Sequence, residues 1–216
     1  MDAIRHHLTD EILMAYSAGT LPEAFNLVVA THISLCDECR AHLESFDAVG
    51  GAVLSDCGAV AVSEDSLEAT MRLIASMPVS EDRPRRAAAN AVFPAPLQDY
   101  VGGDLSQVKW RSVGGGVRQS ILRTSSDATV RLLHIPAGVA IPDHGHRGME
   151  MTLVLKGAFR DEFDRFARGD LEIANEDLEH TPVAEEGEEC ICLAATDAPL
   201  RFNALIPRIA QPFIRI

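Results

Sequence analysis

Residues 138–157 read GVAIPDHGHRGMEMTLVLKG, and this stretch decides the fold of the second half of the chain. Its spacing is G-x5-H-x-H-x3-E-x6-G, in which the polar positions are His144, His146 and Glu150. Residues two apart on a β-strand point to the same face, and these three positions share one parity. Imidazole and carboxylate groups that converge in this way are typical metal ligands. The stretch therefore predicts a metal site on a strand, with a glycine turn at each end.

The sequence around this stretch predicts an all-β domain. Gly and Pro separate short apolar runs such as 130–135 and 151–155, which is the pattern of a β-sandwich or barrel. The quoted stretch resembles the first cupin motif without a gap, and Gly169, Asp170 and His180 resemble part of the second. This resemblance implies a cupin-like β-barrel in which His180 is a third imidazole ligand.

Three features of this domain have more than one interpretation. Three His and one Glu suit Zn, Fe, Mn or Ni, and we favour a divalent zinc ion. The opposite strand face, with Met151, Leu153 and Leu155, is apolar, so another strand, the C-terminal segment or a second subunit should cover it. Cys190 and Cys192 share a face of a late strand, either as sensor thiols or as an inert core pair, which we favour.

The first half of the chain contains a second group of metal ligands. His32, Cys36 and Cys39 have the spacing H-x3-C-x2-C, and positions four apart lie on one face of a helix. A closed tetrahedral zinc site needs a fourth ligand. His6, near the N-terminus, is the preferred candidate, and His7 is its rival. The pattern predicts a structural zinc ion that ties the N-terminal arm to two helices, with a redox switch at the thiols as the alternative.

Helical periodicity surrounds this site. Four helices are expected between about residues 9 and 77, because apolar residues recur there at helical spacing. Thr9 should cap the first helix, Asp37 the third, and Ser63 or Ser66 the fourth. The front half therefore predicts a small four-helix domain, whose short helices would gain folding energy from a bound metal ion.

The composition changes between the two halves. Prolines and an alanine-rich patch without a clear period collect between residues 77 and 97, which is typical of a linker. The predicted fold class is therefore multidomain, α then all-β. Residues 1–85 form the four-helix zinc-binding domain, residues 86–97 the Pro/Ala-rich linker and residues 98–216 the cupin-like barrel.

The charge of the chain argues against direct contact with nucleic acid. The net charge is −13, whereas proteins that grip phosphates carry surplus Lys and Arg. Residues 1–85 contain five Arg, no Lys and fourteen Asp or Glu, which suits a basic protein partner, although a role in solubility explains the charge equally well. No apolar run approaches the roughly 20 residues of a membrane helix, and no secretory signal is recognisable. We expect a cytoplasmic protein without membrane contact.

Two stretches together resemble the ChrR family of anti-sigma factors. They are the H-x3-C-x2-C pattern in an acidic helical domain that begins near His6, and residues 142–150 in the cupin-like domain. The resemblance implies that the front domain holds a group IV (extracytoplasmic-function, ECF) sigma factor inactive. It also implies release under singlet oxygen or related oxidative stress through the cupin-like domain, linked to a protease, and no catalysis. The alternative is a metal-dependent cupin enzyme, a dioxygenase or isomerase, with a regulatory zinc module.

Overall fold

The computed structural model of the protein describes residues 3–78 and 91–202. Within these ranges, helices come first, and a sheet-rich part follows after a short 3-10 helix at Leu105–Gln107. None of the described helices is long and apolar enough to cross a membrane. The α-helices number five, one more than the periodicity predicts: α1 Asp10–Ser17, α2 Glu23–Ile33, α3 Asp37–Asp56, α4 Ser66–Ser76 and α5 Ala95–Val101.

Local hydrogen bonds explain where the front helices begin. Thr9 caps α1 as predicted, since its hydroxyl accepts a hydrogen bond from the N–H of Ile12 at 3.4 Å. The prediction that Asp37 caps α3 is wrong by one residue. Cys36 takes that position, and its Sγ accepts a hydrogen bond from the N–H of Cys39 at 3.4 Å. One of the predicted metal-binding thiols therefore also starts the helix.

The sheet-rich part contains three antiparallel sheets that form the cupin-like barrel. Its described strands are β1 Arg111–Gly114, β2 Val117–Ile121, β3 Thr129–Ile135, β4 His144–Gly145, β5 Glu150–Lys156, β6 Ala158–Arg160, β7 Arg165–Ala167, β8 Leu171–Ala174, β9 Glu179–His180, β10 Val183–Ala184, β11 Cys190–Thr196 and β12 Arg201–Phe202. The largest sheet has the order β1-β2-β3-β11-β5-β8, and the two smaller sheets have the orders β10-β6-β7 and β12-β4-β9. The predicted fold class, α then all-β with a cupin-like barrel, is therefore confirmed.

The central strands of the large sheet are covered on both faces. On β5, Met151, Leu153 and Leu155 are fully buried in a core that they share with the helices. Glu150 and Thr152 have the other parity and line the barrel interior. Helix α2 contacts β3, β5 and β11 and covers the first face. The apolar face of β5 is thus covered by a helix from the first half of the same chain. The cover expected from the sequence was another strand, the C-terminal segment or a second subunit.

Helix α2 is buried on nearly all sides. It packs on the sheet with one side and contacts α1, α3 and α5 with the others. A helix that is apolar around its whole circumference is typical of a buried position. Burying one large side chain such as Phe25 contributes roughly 1.5–3 kcal/mol, so this interface is a substantial part of the stability. The helices and the barrel share one apolar core.

The described part of the predicted linker is folded. Phe93 is fully buried in the shared core, and the carboxylate of Asp104 accepts hydrogen bonds from the N–H groups of Val92 at 3.1 Å and Phe93 at 2.9 Å. Helix α5 begins within the same stretch, and its seven residues are too few to show a clear period. Residues 91–97 therefore belong to the packed part of the protein, whereas residues 86–90 lie outside the described residues.

Candidate metal centres and docking surface

Three segments bring the front histidines and cysteines together. His7 comes from the N-terminal arm, His32 from the last turn of α2, and Cys36 and Cys39 from the start of α3. Nδ1 of His7 lies 3.3 Å from Cys36 Sγ and 3.6 Å from Cys39 Sγ, and Nε2 of His32 lies 3.3 Å from Cys39 Sγ. Tetrahedral zinc with bonds of about 2.0–2.3 Å separates its ligand atoms by about 3.3–3.8 Å. These four side chains could therefore hold a metal ion.

His6 is not part of this group. Its Nε2 lies 2.9 Å from Asp164 Oδ2, and its ring packs on Phe166 with 4.3 Å between the ring centroids, so the side chain faces the barrel. His6 and His7 point to opposite sides of the arm, and spacing alone does not show which of them faces the thiols. The structure places the rival His7, and not the preferred His6, beside the two cysteines.

Burial controls protonation in this front site. It lowers the pKa of His32 to about 4, so the imidazole is neutral and has a free lone pair at neutral pH. It raises the pKa of Cys39 to about 12, so the thiol keeps its proton unless a cation stabilises the thiolate. A neutral imidazole beside buried thiols suits zinc, which displaces thiol protons when it binds.

The barrel interior brings three histidines together. His144 of β4 pairs with His180 of β9 across neighbouring strands, and His146 follows two residues after His144. Nε2 of His146 and Nε2 of His180 are 3.4 Å apart, while Nδ1 of His144 lies 2.9 Å from the carbonyl oxygen of Pro142. Burial lowers the pKa of both His144 and His146 to about 4. Both imidazoles are therefore neutral at neutral pH, and each has a lone pair for a metal ion. This group could hold a second metal ion.

Glu150 stands beside the three histidines. Its Oε2 lies 3.6 Å from Nδ1 of His146, and Thr152 donates a hydrogen bond to its Oε1 at 3.1 Å. Burial, followed by repulsion from Glu172, raises the pKa of Glu150 to about 7. Among the described residues, the group that could hold a metal ion contains His144, His146 and His180 but not Glu150. The role of Glu150 as a fourth ligand stays a prediction.

Two buried carboxylates that the sequence analysis missed lie behind His180. Nδ1 of His180 is 3.1 Å from Asp161 Oδ2 and 3.0 Å from Glu172 Oε1. Burial alone would lower the pKa of His180, but the two carboxylates outweigh it and raise this pKa to about 9. Carboxylates on the outer nitrogen of a metal-binding histidine fix its ring and leave Nε2 for the metal. Glu172 had a sequence signal, because it interrupts the apolar run of β8.

The paired cysteines of β11 lie in the barrel core. Cys190 and Cys192 are both buried, with 3.5 Å between their sulfur atoms. The hydrogen bond with Cys190, together with burial, raises the pKa of Cys192 well above its ordinary value. Because the thiolate is the reactive form of cysteine, this environment supports the inert core pair over sensor thiols.

The front helices also expose apolar side chains at a distance from the shared core. Helix α4 buries none of its residues, although it is amphipathic. The second half of α3 is exposed as well. We call the following residues the exposed helical surface: Val49, Val53, Leu54, Leu67, Met71, Leu73, Ile74 and Met77, each more than half exposed.

Comparisons with known proteins assign the chain to a family. Residues 98–199 match the model of the ChrR Cupin-like domain. The chain is also 61% identical over 213 residues to the anti-sigma-E factor ChrR of Cereibacter sphaeroides, and the match covers 99% of both chains. This chain belongs to the ChrR family of anti-sigma factors. A crystal structure of Rhodobacter sphaeroides SigE in complex with the anti-sigma ChrR matches with a TM-score of 0.79 and 58% identity, over 90% of this chain and 100% of that chain.

Membership of the ChrR family confirms the resemblance that the two sequence patterns indicate. It supports a regulatory role, because the relative is an anti-sigma factor. The alternative of a dioxygenase or isomerase is correspondingly disfavoured. The His7, His32, Cys36 and Cys39 group is consistent with a zinc site in the front domain of a ChrR-family protein.

In this ChrR-family protein, the N-terminal arm runs along the barrel before it reaches the front site. Oδ1 of Asp170 accepts hydrogen bonds from the N–H groups of Arg5 at 2.6 Å and His6 at 3.0 Å. The N–H of Leu171, at the start of β8, donates to the carbonyl of His6 at 3.3 Å. The next residue is His7, so the arm connects the barrel directly to the front metal group.

Proposed function

We propose that the chain is an anti-sigma factor whose front helices bind a group IV (ECF) sigma factor and keep it from RNA polymerase. The observation that carries this proposal is the exposed helical surface, in a chain whose relative at 61% identity is an anti-sigma-E factor. Large exposed apolar surfaces mark sites of protein interaction. The similar solved structure is a complex of a sigma factor with ChrR, which supports a sigma factor as the occupant of this surface.

The charge of the front half supports the same partner. Residues 1–85 contain five Arg, no Lys and fourteen Asp or Glu. A sigma factor must carry basic surface where it meets DNA, and an acidic protein is electrostatically complementary to such a surface. We propose no direct contact of this chain with nucleic acid or membrane.

A zinc ion at the front site is part of the proposal. Two imidazoles and two thiolates, from His7, His32, Cys36 and Cys39, are a typical ligand set of closed structural zinc sites. Such an ion would join the arm, α2 and α3 at one point. It would thereby orient α3, whose far half carries part of the exposed helical surface.

A second divalent ion, which we take to be zinc, is proposed for the barrel. Its ligands would be His144, His146, His180 and Glu150. In this proposal the barrel is the sensor part of a cytoplasmic protein, and it releases the sigma factor under oxidative stress such as singlet oxygen, followed by proteolysis. The family resemblance supports the stress signal and the protease, whereas the clustered histidines support the metal.

In vitro transcription tests the anti-sigma proposal. RNA polymerase with the group IV sigma factor encoded nearest this gene is titrated with the zinc-loaded full-length protein. We expect transcription to stop near equimolar protein, while transcription by the housekeeping sigma factor continues. The full chain is needed because α2 packs on the barrel, and residues 1–85 alone would expose that apolar face. Unchanged transcription at excess protein would reject the proposal.

The variant His144→Ala/His146→Ala is expected to lose the barrel metal and to keep basal inhibition. Both side chains lie in the barrel interior, away from the helices that carry the exposed helical surface. Zinc analysis should show one ion fewer per chain, and the affinity for the sigma factor should stay within about twofold, or roughly 0.4 kcal/mol. A loss of basal inhibition would show that the barrel ion also organises the front helices.

The variant Asp170→Ala is expected to weaken zinc binding at the front site, because it removes the acceptor that holds the arm. Hydrogen bonds to a charged group contribute roughly 1.5–3 kcal/mol. We expect zinc to pass to a chelator about tenfold faster, the equivalent of about 1.4 kcal/mol. The matched control is Asp164→Ala, whose half-exposed carboxylate contacts the side chain of His6 and should contribute about 0–1 kcal/mol. Equal rates in wild type and Asp170→Ala would show that the arm does not support the site.

A further inference from the structure

A cavity of about 320 Å³ lies inside the barrel, next to the metal-binding histidines. Its volume falls in the range of small-molecule sites, roughly 300–1,000 Å³. Most of its wall is apolar, so the hydrocarbon part of a ligand would be removed from water there. The apolar side chains of the wall include Leu133, Ile135, Ile141, Phe159, Ala194 and Phe202.

One side chain in this wall is unusual for an apolar cavity. Arg131, on β3, lines the cavity and is only 5% exposed to solvent. Its Nη1 donates a hydrogen bond to Gln119 Oε1 at 3.3 Å, and Glu150 interacts with its charge. A guanidinium has five N–H donors, and a buried one is stabilised by anions that can accept several of them. The cavity therefore combines apolar walls with one buried cationic side chain.

The charges at this end of the cavity favour a further anion once the proposed barrel ion is bound. A divalent ion adds two positive charges and Arg131 adds one, whereas Glu150 supplies one negative charge within the wall. Asp161 and Glu172 lie behind His180, on its Nδ1 side, and do not line the cavity. The groups that a ligand would touch are therefore positive in sum, while Asp161 and Glu172, 3.1 and 3.0 Å from His180 Nδ1, offset part of this charge.

We propose that the cavity binds a small apolar monocarboxylate, with its carboxylate near Arg131 and the histidines and its hydrocarbon tail against Leu133, Ile135 and Phe159. The proposal goes beyond the anti-sigma function, which assigns no ligand to the barrel. The ligand would lie on the inner faces of β3 and β11, whose outer faces pack against α2. A ligand in the cavity would thus touch the strands that support the front helices.

Isothermal titration calorimetry of the zinc-loaded full-length protein with octanoate tests this inference. We expect one octanoate to bind per chain. Octanol lacks the charge and acetate lacks the tail, so each should bind at least about tenfold more weakly. Absence of octanoate binding, or equal binding of octanol, would overturn the proposal. Zinc content measured before and after the titration ensures that metal loss does not produce the heat signal.

Variants locate the binding site. Ala194→Phe fills the cavity and should abolish octanoate binding, whereas Ser112→Phe adds the same ring at an exposed residue of β1 and should not. Arg131→Met removes the charge and should weaken the binding of octanoate but not that of octanol. Octanoate binding that persists in Ala194→Phe would overturn the proposal.

Sigma inhibition, measured on the same samples, separates this inference from the proposed function. Inhibition without octanoate binding rejects the ligand and leaves the anti-sigma function standing. Octanoate binding without inhibition supports the ligand and rejects the anti-sigma function.

Discussion

The variant Cys36→Ser/Cys39→Ser is expected to lose both the front zinc ion and the inhibition of the sigma factor. The substitutions remove both thiolates of the four-ligand set, and structural zinc contributes about 10–16 kcal/mol to the folding of small zinc domains. Without the ion, the arm, α2 and α3 are no longer joined at one point. We expect the affinity for the sigma factor to fall by about 100-fold or more, or roughly 2.7 kcal/mol. Atomic emission measures the zinc, and biolayer interferometry measures the affinity.

Single variants identify the fourth ligand of the same site. His7→Ala should lose the front zinc ion, whereas His6→Ala should keep it, because His6 faces the barrel. Cys57→Ser is the matched control, since Cys57 is exposed at the C-terminal end of α3. Zinc loss from His6→Ala but not from His7→Ala would contradict the arrangement of the arm.

The variant Met71→Asp/Ile74→Asp is expected to abolish sigma binding without unfolding the protein. Both residues are more than half exposed, and surface substitutions of this kind change stability by about 0.5 kcal/mol or less. In the complex, the new carboxylates would be buried without partners, which is costly. We expect the affinity to fall by about 100-fold or more, which is roughly 2.7 kcal/mol. The melting temperature should change by less than about 2 °C.

The control for this experiment is Arg72→Asp, which adds a carboxylate on the opposite side of α4, where Arg72 is exposed. Successive helix residues are about 100° apart, so Arg72 lies about 100° or more around from each α4 residue of the exposed helical surface. Its sigma affinity should match that of the wild type. Full binding by Met71→Asp/Ile74→Asp would mean that the sigma factor uses another part of the chain.

The local sequence predicted the residues of the two metal groups better than it predicted the residues around them. His144 and His146 share the parity of one short stretch, and His32, Cys36 and Cys39 lie within eight residues around a helix junction. The geometry of a strand or a helix brings such neighbours together by itself. These residues could therefore be grouped correctly without any tertiary information.

The choice between His6 and His7 could not be made in this way. The two residues are adjacent, and both sides of the arm offer polar partners: thiols on one side, and Asp164 and Asp170 on the other. Only the docking of the arm along the barrel decides which histidine faces the thiols. The carboxylates behind His180 were missed for the same reason, because they come from separate segments of the barrel.

The sequence by itself indicated the fold class and the short-range metal patterns, because these depend on periodicity and spacing within one element, and its resemblance to known motifs indicated the family. Tertiary structure alone decided that α2 covers the large sheet and that residues 91–97 are packed. It also decided that the arm connects the barrel to the front site. These features depend on contacts between segments that are far apart in the sequence. Such segments bury their apolar surface and pair their polar groups only when the whole core forms.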